Sequence, residues 1–244
     1  MNSRPHVLLL EDDPFMQQFV ELALQDLAVQ LHHCNSLAQA RQLLQTQSVQ
    51  LLLADMHLPD GSASSLCTEL CAAPLAVAGP AARVVIFSGG IDAAQEQALR
   101  RSGVWLVLHK PVAMEQLLAC VKQALHEQPP QPAADSAAAL PQPPTFFGDR
   151  QALFVAYQRT CLEQFAYDVI EGNRAAHSGD WAALQRLAHN LKSVLVLLGH
   201  PTEAELARTL ETQAHVGAHT AAQATWHLLQ AQLQQLQLLN TAPP

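Results

Sequence analysis

Acidic side chains in the first half of the chain stand directly behind short apolar segments. Glu11, Asp12 and Asp13 follow the first such segment, and Asp55 follows the third. Carboxylates gathered in one place repel one another unless a cation joins them, and oxygen ligands suit a hard ion such as Mg²⁺. If these segments end at one edge of a sheet, the sequence predicts a magnesium site there.

A hydroxyl and an ammonium group belong to two further apolar segments. Ser88 ends the fourth segment, and Lys110 follows the fifth. Both groups can bind phosphate oxygens, and with a cation they would neutralise a phosphoryl group approaching Asp55 as the nucleophile. Acidic residues behind strands are also common as loop and N-cap residues. The ordered set of four strand ends favours the catalytic interpretation.

A histidine in the second half is another candidate for chemistry. At about 100° per residue, His189 falls opposite an arc of six apolar side chains. These are Leu184, Leu187, Leu191, Val194, Leu195 and Leu198. An exposed imidazole can accept a phosphoryl group, and Lys192, one turn on, would stabilise the product. From the pattern alone, a histidine beside a lysine is more often an ordinary polar surface.

The elements that must position the acidic residues form an α/β pattern. Residues 1–126 alternate five apolar segments with five helical patterns, which predicts a doubly wound, five-stranded parallel sheet covered on both faces. Strands are predicted at 6–10, 29–33, 49–54, 83–87 and 104–108, and helices at 14–27, 36–46, 62–72, 93–101 and 114–126. In such a fold, functional groups lie beyond the carboxyl ends of the strands.

His189 belongs to a different kind of domain. Residues 127–144 contain six prolines and predict a linker. Residues 145–244 show helical patterns near 147–176, 180–198, 202–216 and 220–239 and no convincing strand, which predicts an all-α four-helix bundle. Gly199 and Pro201 indicate where one helix stops and the next begins.

Composition argues against several classes of protein. Charged residues make up 14% of the 244 residues, the net charge is −8, and the lysines are Lys110, Lys122 and Lys192, which disfavours broad nucleic-acid binding. Residues 145–244 carry six Lys or Arg and eight Asp or Glu, so a DNA-binding second half is also disfavoured. Neither a membrane-spanning segment nor a signal peptide is recognisable, and we expect a cytoplasmic protein without membrane insertion.

Four motifs carry a family resemblance in the first half: VLLLEDDP (7–14), LLLADMHLPDGS (51–62), VVIFSGG (84–90) and VLHKPV (107–112). They resemble the receiver domain of two-component response regulators. The resemblance implies that Asp55 is the phosphoacceptor and that Ser88 and Lys110 bind the phosphate. It also implies that Mg²⁺ is held by Glu11, Asp12, Asp55 and the backbone carbonyl of His57, and that a cis peptide precedes Pro111.

Two positions depart from the family pattern. Val107 stands where the family usually has an aromatic switch residue, three positions before Lys110. Ala63 stands where a second glycine is common. The departure at Val107 leaves open whether phosphorylation signals through a different movement or leads only to phosphotransfer.

The segment AHNLKSVLVLLG (188–199), its lead-in GDWAALQRLAHN (179–190) and the following AELARTLETQAHVG (204–217) resemble histidine phosphotransfer (HPt) domains. The resemblance implies a four-helix bundle in which His189 is the phosphoacceptor, Lys192 its neighbouring lysine and Glu211 the characteristic acid of the next helix. Bulky residues at 194–196 replace residues that are often small in the family, and Val196 lies on the face of His189.

Together these features predict a bacterial phosphorelay protein, a phosphotransfer intermediate rather than a stand-alone enzyme. Asp55 would take a phosphoryl group from a sensor histidine kinase or an HPt donor. His189 would exchange it with the receiver domain of another response regulator, or with its own receiver by intramolecular docking. No ATP-binding motif is recognisable. The alternative is an adaptor in which phosphorylation of Asp55 controls docking and His189 is not a phosphoacceptor.

Overall fold

A computed structural model describes residues 4–72, 82–89, 91–125 and 146–241 of the chain. The chain divides into two compact units, Met1–Leu140 and Pro141–Pro244. The predicted linker at 127–144 lies outside the described residues, so its structure stays a prediction.

The first unit is built on a parallel sheet. Its strands are β1 (His6–Leu10), β2 (Gln30–Cys34), β3 (Leu51–Asp55), β4 (His57–Leu58), β5 (Gly61–Ser62), β6 (Arg83–Ser88) and β7 (Leu106–His109). Five of them form the sheet in the order β2-β1-β3-β6-β7, while β4 and β5 pair as a separate antiparallel hairpin. The flanking helices are α1 (Pro14–Leu24), α2 (Leu37–Thr46), α3 (Ser64–Ala72), α4 (Ala93–Arg101) and α5 (Met114–Leu125). The predicted α/β fold is confirmed.

The strands differ in burial according to their place in the sheet. β1, β3 and β6 lie in its interior and are buried along almost their whole length, as their apolar sequences predict. In β2 only Cys34 is buried, and His33 is exposed. Burial on both faces was therefore a wrong expectation for β2. This strand lies at one edge of the sheet and, unlike the other edge strand β7, it carries the polar residues Gln30, His32 and His33.

The register of the sheet brings the strand ends together. Leu10 pairs with Ala54, Asp55 with Phe87, and Ser88 with His109. The residues that follow or end β1, β3, β6 and β7 therefore lie along one edge, as the parallel topology requires.

The second unit is a four-helix bundle of α6 (Gln151–Ser178), α7 (Trp181–Leu198), α8 (Pro201–His215) and α9 (His219–Thr241). Gly179 and Gly199 end α6 and α7 in the left-handed region, with φ of 72° and 87°. Residues other than glycine rarely adopt this backbone conformation. Pro201 starts α8, so the predicted stop and restart is confirmed.

The beginning of α6 differs from the prediction. The helix starts at Gln151 rather than near 147, because Gly148 has a φ of 56° and turns the chain. Phe146 and Phe147 precede this turn and are both buried. The ring of Phe147 lies 5.4 Å from that of Tyr157, so the turn packs an aromatic pair against the bundle.

A glycine and a tryptophan set the close approach of α6 and α9. Trp226 is fully buried, and its Nε1 donates to Asn173 Oδ1 at 2.9 Å. A Cβ atom at Gly172 would overlap the indole ring of Trp226. Glycine at 172 is therefore required by packing, since it leaves the space that the ring fills.

None of the helices in the described ranges is both long and apolar enough to cross a membrane.

Candidate functional site

Three carboxylates converge at the carboxyl edge of the sheet. Glu11, Asp12 and Asp55 each offer one oxygen, and these oxygens lie within 4.8 Å of one another. Glu11 and Asp55 are buried, whereas Asp12 is half-buried. Hard oxygen ligands at this spacing suit a divalent cation. The predicted grouping of these three residues is present in the structure.

Lys110 lies between two of these carboxylates. Its Nζ is 2.9 Å from Glu11 Oε2 and 3.2 Å from Asp55 Oδ2, and its side chain is only 8% exposed. The backbone N–H of Lys110 donates to the carbonyl oxygen of Ser88 at 2.7 Å, and the Lys110–Pro111 peptide is cis. The predicted cis peptide is thus present, and Lys110 is fixed at both its backbone and its ammonium group.

The bundle holds His189, predicted to point to solvent, at its surface and in contact with a neighbouring helix. The His189 side chain is 36% exposed, and its Nδ1 lies 2.6 Å from Glu211 Oε1 on α8. Glu211 Oε2 accepts from Lys192 Nζ, also at 2.6 Å. A single carboxylate therefore joins the imidazole to the ammonium group, and both are held at the surface between α7 and α8.

Family models match both units of the chain. Residues 7–122 match the response regulator receiver domain, and residues 151–238 match the Hpt domain. The chain is a receiver domain followed by an Hpt domain. Response regulator receivers and Hpt domains are the components of two-component phosphorelay signalling, and the predicted family and fold are confirmed for both halves.

One curated relative and two solved structures are similar to the receiver half of this chain. The response regulator protein PilR of Pseudomonas aeruginosa is 30% identical over 129 residues, which cover 53% of this chain and 28% of PilR. The chain thus matches little more than a quarter of the length of that relative.

The two structures are both signal receiver domains. The first belongs to an HD domain-containing protein of Pseudomonas fluorescens, with 26% identity, 52% of this chain and 91% of that chain covered, and a TM-score of 0.47. The second belongs to a putative Luxo repressor protein of Vibrio parahaemolyticus. It is 22% identical, the match covers 51% of this chain and 92% of that chain, and the TM-score is 0.47.

Burial and charge act in opposite directions in the receiver site. Burial raises the pKa of Glu11, the Lys110 ammonium lowers it, and the Asp55 carboxylate raises it again, with a net upward shift. Burial lowers the pKa of Lys110, but the surrounding carboxylates outweigh burial and raise it. Lys110 is therefore a permanent cation. Its single positive charge cannot neutralise all three carboxyl groups of Glu11, Asp12 and Asp55.

The balance is simpler in the Hpt domain. Burial alone would raise the pKa of Glu211, but the hydrogen bonds from His189 and Lys192, together with their charges, lower it to about 2. Glu211 is therefore ionised throughout the neutral range. An ionised carboxylate only accepts hydrogen bonds, so it favours the His189 tautomer that carries its proton on Nδ1.

Two predicted residues border the receiver cluster. Ser88 ends β6 and is buried, with Gly89 exposed beside it. A Cβ atom at Gly89 would meet no atom within 4 Å. The side chain of His57 is exposed, and its backbone belongs to the β4–β5 hairpin. The roles of the Ser88 hydroxyl and the His57 carbonyl stay predictions.

The position that lacks the aromatic switch residue is buried. Val107 is part of an apolar cluster with Ile86, Leu99 and Val104. The nearby Trp105 precedes β7, and the Arg83 guanidinium lies 5.5 Å from its ring centroid. A valine has no polar group that could reach the surface from this cluster, so any response at position 107 must occur by packing.

Three residues on the segments that follow β1 and β3 have no specific role predicted from the sequence. Asp13 caps α1, accepting from the N–H of Phe15 at 2.9 Å, and the Pro that starts the helix was an available signal. Gln17 donates to the carbonyl oxygen of Glu11 at 2.6 Å. Asp60 contacts α2 from the hairpin behind Asp55. The last two contacts could not be predicted from a local pattern. Gln17 reaches back from α1 to the residue that follows β1, and Asp60 contacts a helix that lies earlier in the chain.

Proposed function

We propose that this protein passes phosphoryl groups between histidine and aspartate side chains, with Asp55 and His189 as the two acceptors. The observation that carries the proposal is that both acceptors stand beside an acid and a lysine in domains of the two matching families. Asp55 lies 3.2 Å from Lys110, which also pairs with Glu11. His189 and Lys192 share Glu211.

Transfer to the receiver begins at a phosphohistidine of the donor. The N–P bond breaks, its electron pair stays with the donor imidazole, which takes up a proton, and a P–O bond forms at the Asp55 carboxylate. Lys110 is charged and already next to Asp55, so it stabilises the negative charge of the incoming group without rearrangement. The Ser88 hydroxyl is proposed to donate to a second phosphoryl oxygen.

The acidic cluster fits a magnesium ion. Glu11, Asp12 and Asp55 would hold it together with the carbonyl of His57. All are hard oxygen ligands, and Lys110 alone leaves negative charge unbalanced among the three carboxylates. When bound, the ion supplies positive charge to the phosphoryl oxygens.

The Hpt site supports nucleophilic attack by His189. Glu211 accepts at Nδ1, which leaves the Nε2 lone pair available for attack on an aspartyl phosphate. The imidazole Nε2 forms the new N–P bond while the P–O bond to the aspartate breaks. Glu211 stabilises the positive charge that develops on the ring, and Lys192 stands one helical turn away to balance the phosphoryl group.

The two domain families imply phosphotransfer partners. We propose a sensor histidine kinase or an HPt protein as donor to Asp55 and a receiver domain as partner of His189, either in another response regulator or in this chain. Nucleic acid is not among the proposed partners, in keeping with a net charge of −8. A cytoplasmic location stays a prediction, for which cell fractionation is the test.

Transfer profiling tests the proposal. Wild type, Asp55→Ala and His189→Gln are incubated with a panel of radiolabelled phospho-kinases and phospho-receivers, and the labelled domain is identified after cleavage within the linker. We expect Asp55→Ala to lose label from kinases and His189→Gln to lose label from receivers. An undiminished relay through His189→Gln would overturn the assignment of His189 and favour the adaptor alternative.

A further inference from the structure

The chain behind Asp55 folds back as a small hairpin. Met56 N–H donates to the Phe87 carbonyl at 3.2 Å, and Ala63 N–H donates to the Met56 carbonyl at 3.1 Å. Between these two bonds β4 and β5 pair through His57 with Ser62. The hairpin therefore carries the carbonyl of His57, and its position decides where that carbonyl lies.

The tip of this hairpin is fastened to α2 by a carboxylate. Asp60 Oδ1 accepts from the N–H of Leu37 at 2.9 Å, and Oδ2 accepts from the N–H of Ala38 at 3.0 Å. These are the first two N–H groups of α2, and the first N–H groups of a helix have no partner within the helix. Ser36 accepts from the third, on Gln39, at 3.3 Å. Asp60 thus satisfies two amides of a helix to which it does not belong.

A second, independent contact seats the same hairpin on the same turn of α2. Gly61 has a φ of 137°, and a Cβ atom there would lie 3.3 Å from Leu37 Cδ1. Leu37 and Leu58 are both buried members of one apolar cluster. Polar and apolar contacts therefore hold the hairpin against the N-terminus of α2 at once.

We propose that Asp60 is a positioning residue, which locks the Asp55–Ser62 segment onto the first turn of α2 and so sets the geometry of the phosphoacceptor and of the His57 carbonyl. This inference rests on the proposed function of Asp55. Asp60 touches neither the phosphoryl group nor the metal. It acts by holding the chain that bears both ligands, as partners of metal ligands commonly do.

The linkage works in both directions. If Asp60 couples the hairpin to α2, any ligand that draws Asp55 or the His57 carbonyl into a fixed position must also steady the Leu37 and Ala38 amides, because coupling free energies are reciprocal. The first turn of α2 then reports the state of the receiver site. Within this turn, Leu37 and Ala40 belong to the buried apolar cluster that also contains Val107.

The test uses the full chain and three variants. Asp60→Ala removes both hydrogen bonds, and Asp60→Asn keeps one acceptor oxygen. Ser36→Ala is the matched control, because it removes a cap from the same helix end and leaves the hairpin contact intact. Hydrogen exchange is followed by mass spectrometry in segments 36–46 and 56–63, and Mg²⁺ affinity by calorimetric titration.

We expect exchange in 56–63 to be about fivefold faster in Asp60→Ala, the effect of losing a helix cap, and Mg²⁺ to bind about tenfold more weakly. In Asp60→Asn, both the exchange rate in 56–63 and the Mg²⁺ affinity should lie between those of Asp60→Ala and wild type. Ser36→Ala should leave both 56–63 and Mg²⁺ affinity unchanged. In wild type, Mg²⁺ should slow exchange in 36–46, and Asp60→Ala should abolish this slowing.

Two results would overturn the proposal. The first is an exchange rate in 56–63 that is the same in Asp60→Ala as in wild type. The second is that Ser36→Ala changes the exchange rate in 56–63 and the Mg²⁺ affinity as much as Asp60→Ala does. The hairpin measurement needs neither metal nor phosphotransfer. Should wild type fail to bind Mg²⁺ or to label at Asp55, the proposed function fails, while exchange in 56–63 still decides whether Asp60 locks the hairpin.

Discussion

Glu211 fixes His189 from a neighbouring helix, with 2.6 Å between the carboxylate Oε1 and the imidazole Nδ1. The histidine is presented by α7 and oriented by α8. Its tautomer therefore depends on the packing of two helices and not on its own helix alone, which makes Glu211 the most informative position for testing the chemistry of the Hpt domain.

Replacing Glu211 by Gln should slow phosphoryl transfer to His189 by about tenfold to a hundredfold. The reason is the loss of a charge-assisted hydrogen bond, worth roughly 1.5–3 kcal/mol. The initial rate of labelling from a phosphorylated receiver measures the effect. Glu205→Gln is the control, because Glu205 lies on the same helix in an exposed pair with Arg208. Equal rates for Glu211→Gln and wild type would contradict the role of Glu211.

The low pKa of Glu211 predicts a specific dependence of stability on pH. Since the pKa is about 2 in the folded protein against an ordinary 4.5, the ionised form stabilises the fold above pH 4.5. This contribution is lost as the pH falls from about 4.5 to 2. It amounts to at most about 3 kcal/mol.

The measurement is the free energy of unfolding against pH for wild type and Glu211→Gln. Fluorescence of Trp181 and Trp226 in a Trp105→Phe background confines the signal to the Hpt domain. The difference between the two proteins should be constant at neutral pH and vanish near pH 2. A difference that persists unchanged to pH 2 would show that the ion pairs with His189 and Lys192 contribute nothing.

Replacing Lys110 by Met should destabilise the receiver domain as well as abolish labelling of Asp55. Removing one partner of a buried ion pair costs about 3–5 kcal/mol, because Glu11 and Asp55 lose the ammonium group that offsets their burial and their mutual repulsion. The double variant Glu11→Gln/Lys110→Met should recover part of this loss. Hydrogen exchange in β1 and β3 under increasing urea measures it, with the exposed Lys122→Met as control.

Replacing Gly172 by Ala should destabilise the Hpt domain by about 1–3 kcal/mol, since the new methyl group overlaps the Trp226 indole. In a Trp226→Phe background the smaller ring should relieve most of this effect. Denaturant unfolding of the four proteins gives the coupling between the two positions. Purely additive losses would contradict contact with the ring as the cause, and helix propensity could not supply them, because alanine is a better helix former than glycine.

The sequence predicted the fold and the grouping of Glu11, Asp12 and Asp55 because both depend on local patterns. Apolar segments followed by Asp55, Ser88 or Lys110 indicate strand ends, and a parallel sheet brings such ends to one edge without further information. Gly199 and Pro201 likewise mark a helix boundary by their own backbone preferences.

Contacts between distant segments were beyond the sequence. The resemblance placed Glu211 as a characteristic acid, but its bridge from His189 to Lys192 depends on the register between α7 and α8. Asp60 reads as an ordinary turn residue before Gly61, and only the folded chain shows that it caps α2. The place of β2 at the edge of the sheet was also beyond the sequence, since the strand order depends on the whole topology and not on the length of one strand.

The open side of β2 has a consequence for contacts between copies of the protein. A strand at the margin of a sheet carries backbone groups that can pair with a strand of another molecule. The exposed side chains of β2 are Gln30 and His33, and His33 Nε2 lies 3.0 Å from Glu21 Oε1. The polar side chain of Gln30 and the pairing of His33 with Glu21 disfavour strand addition and the aggregation that follows from it. The polar residues that interrupt the burial of β2 therefore disfavour pairing of this sheet with a strand of another molecule.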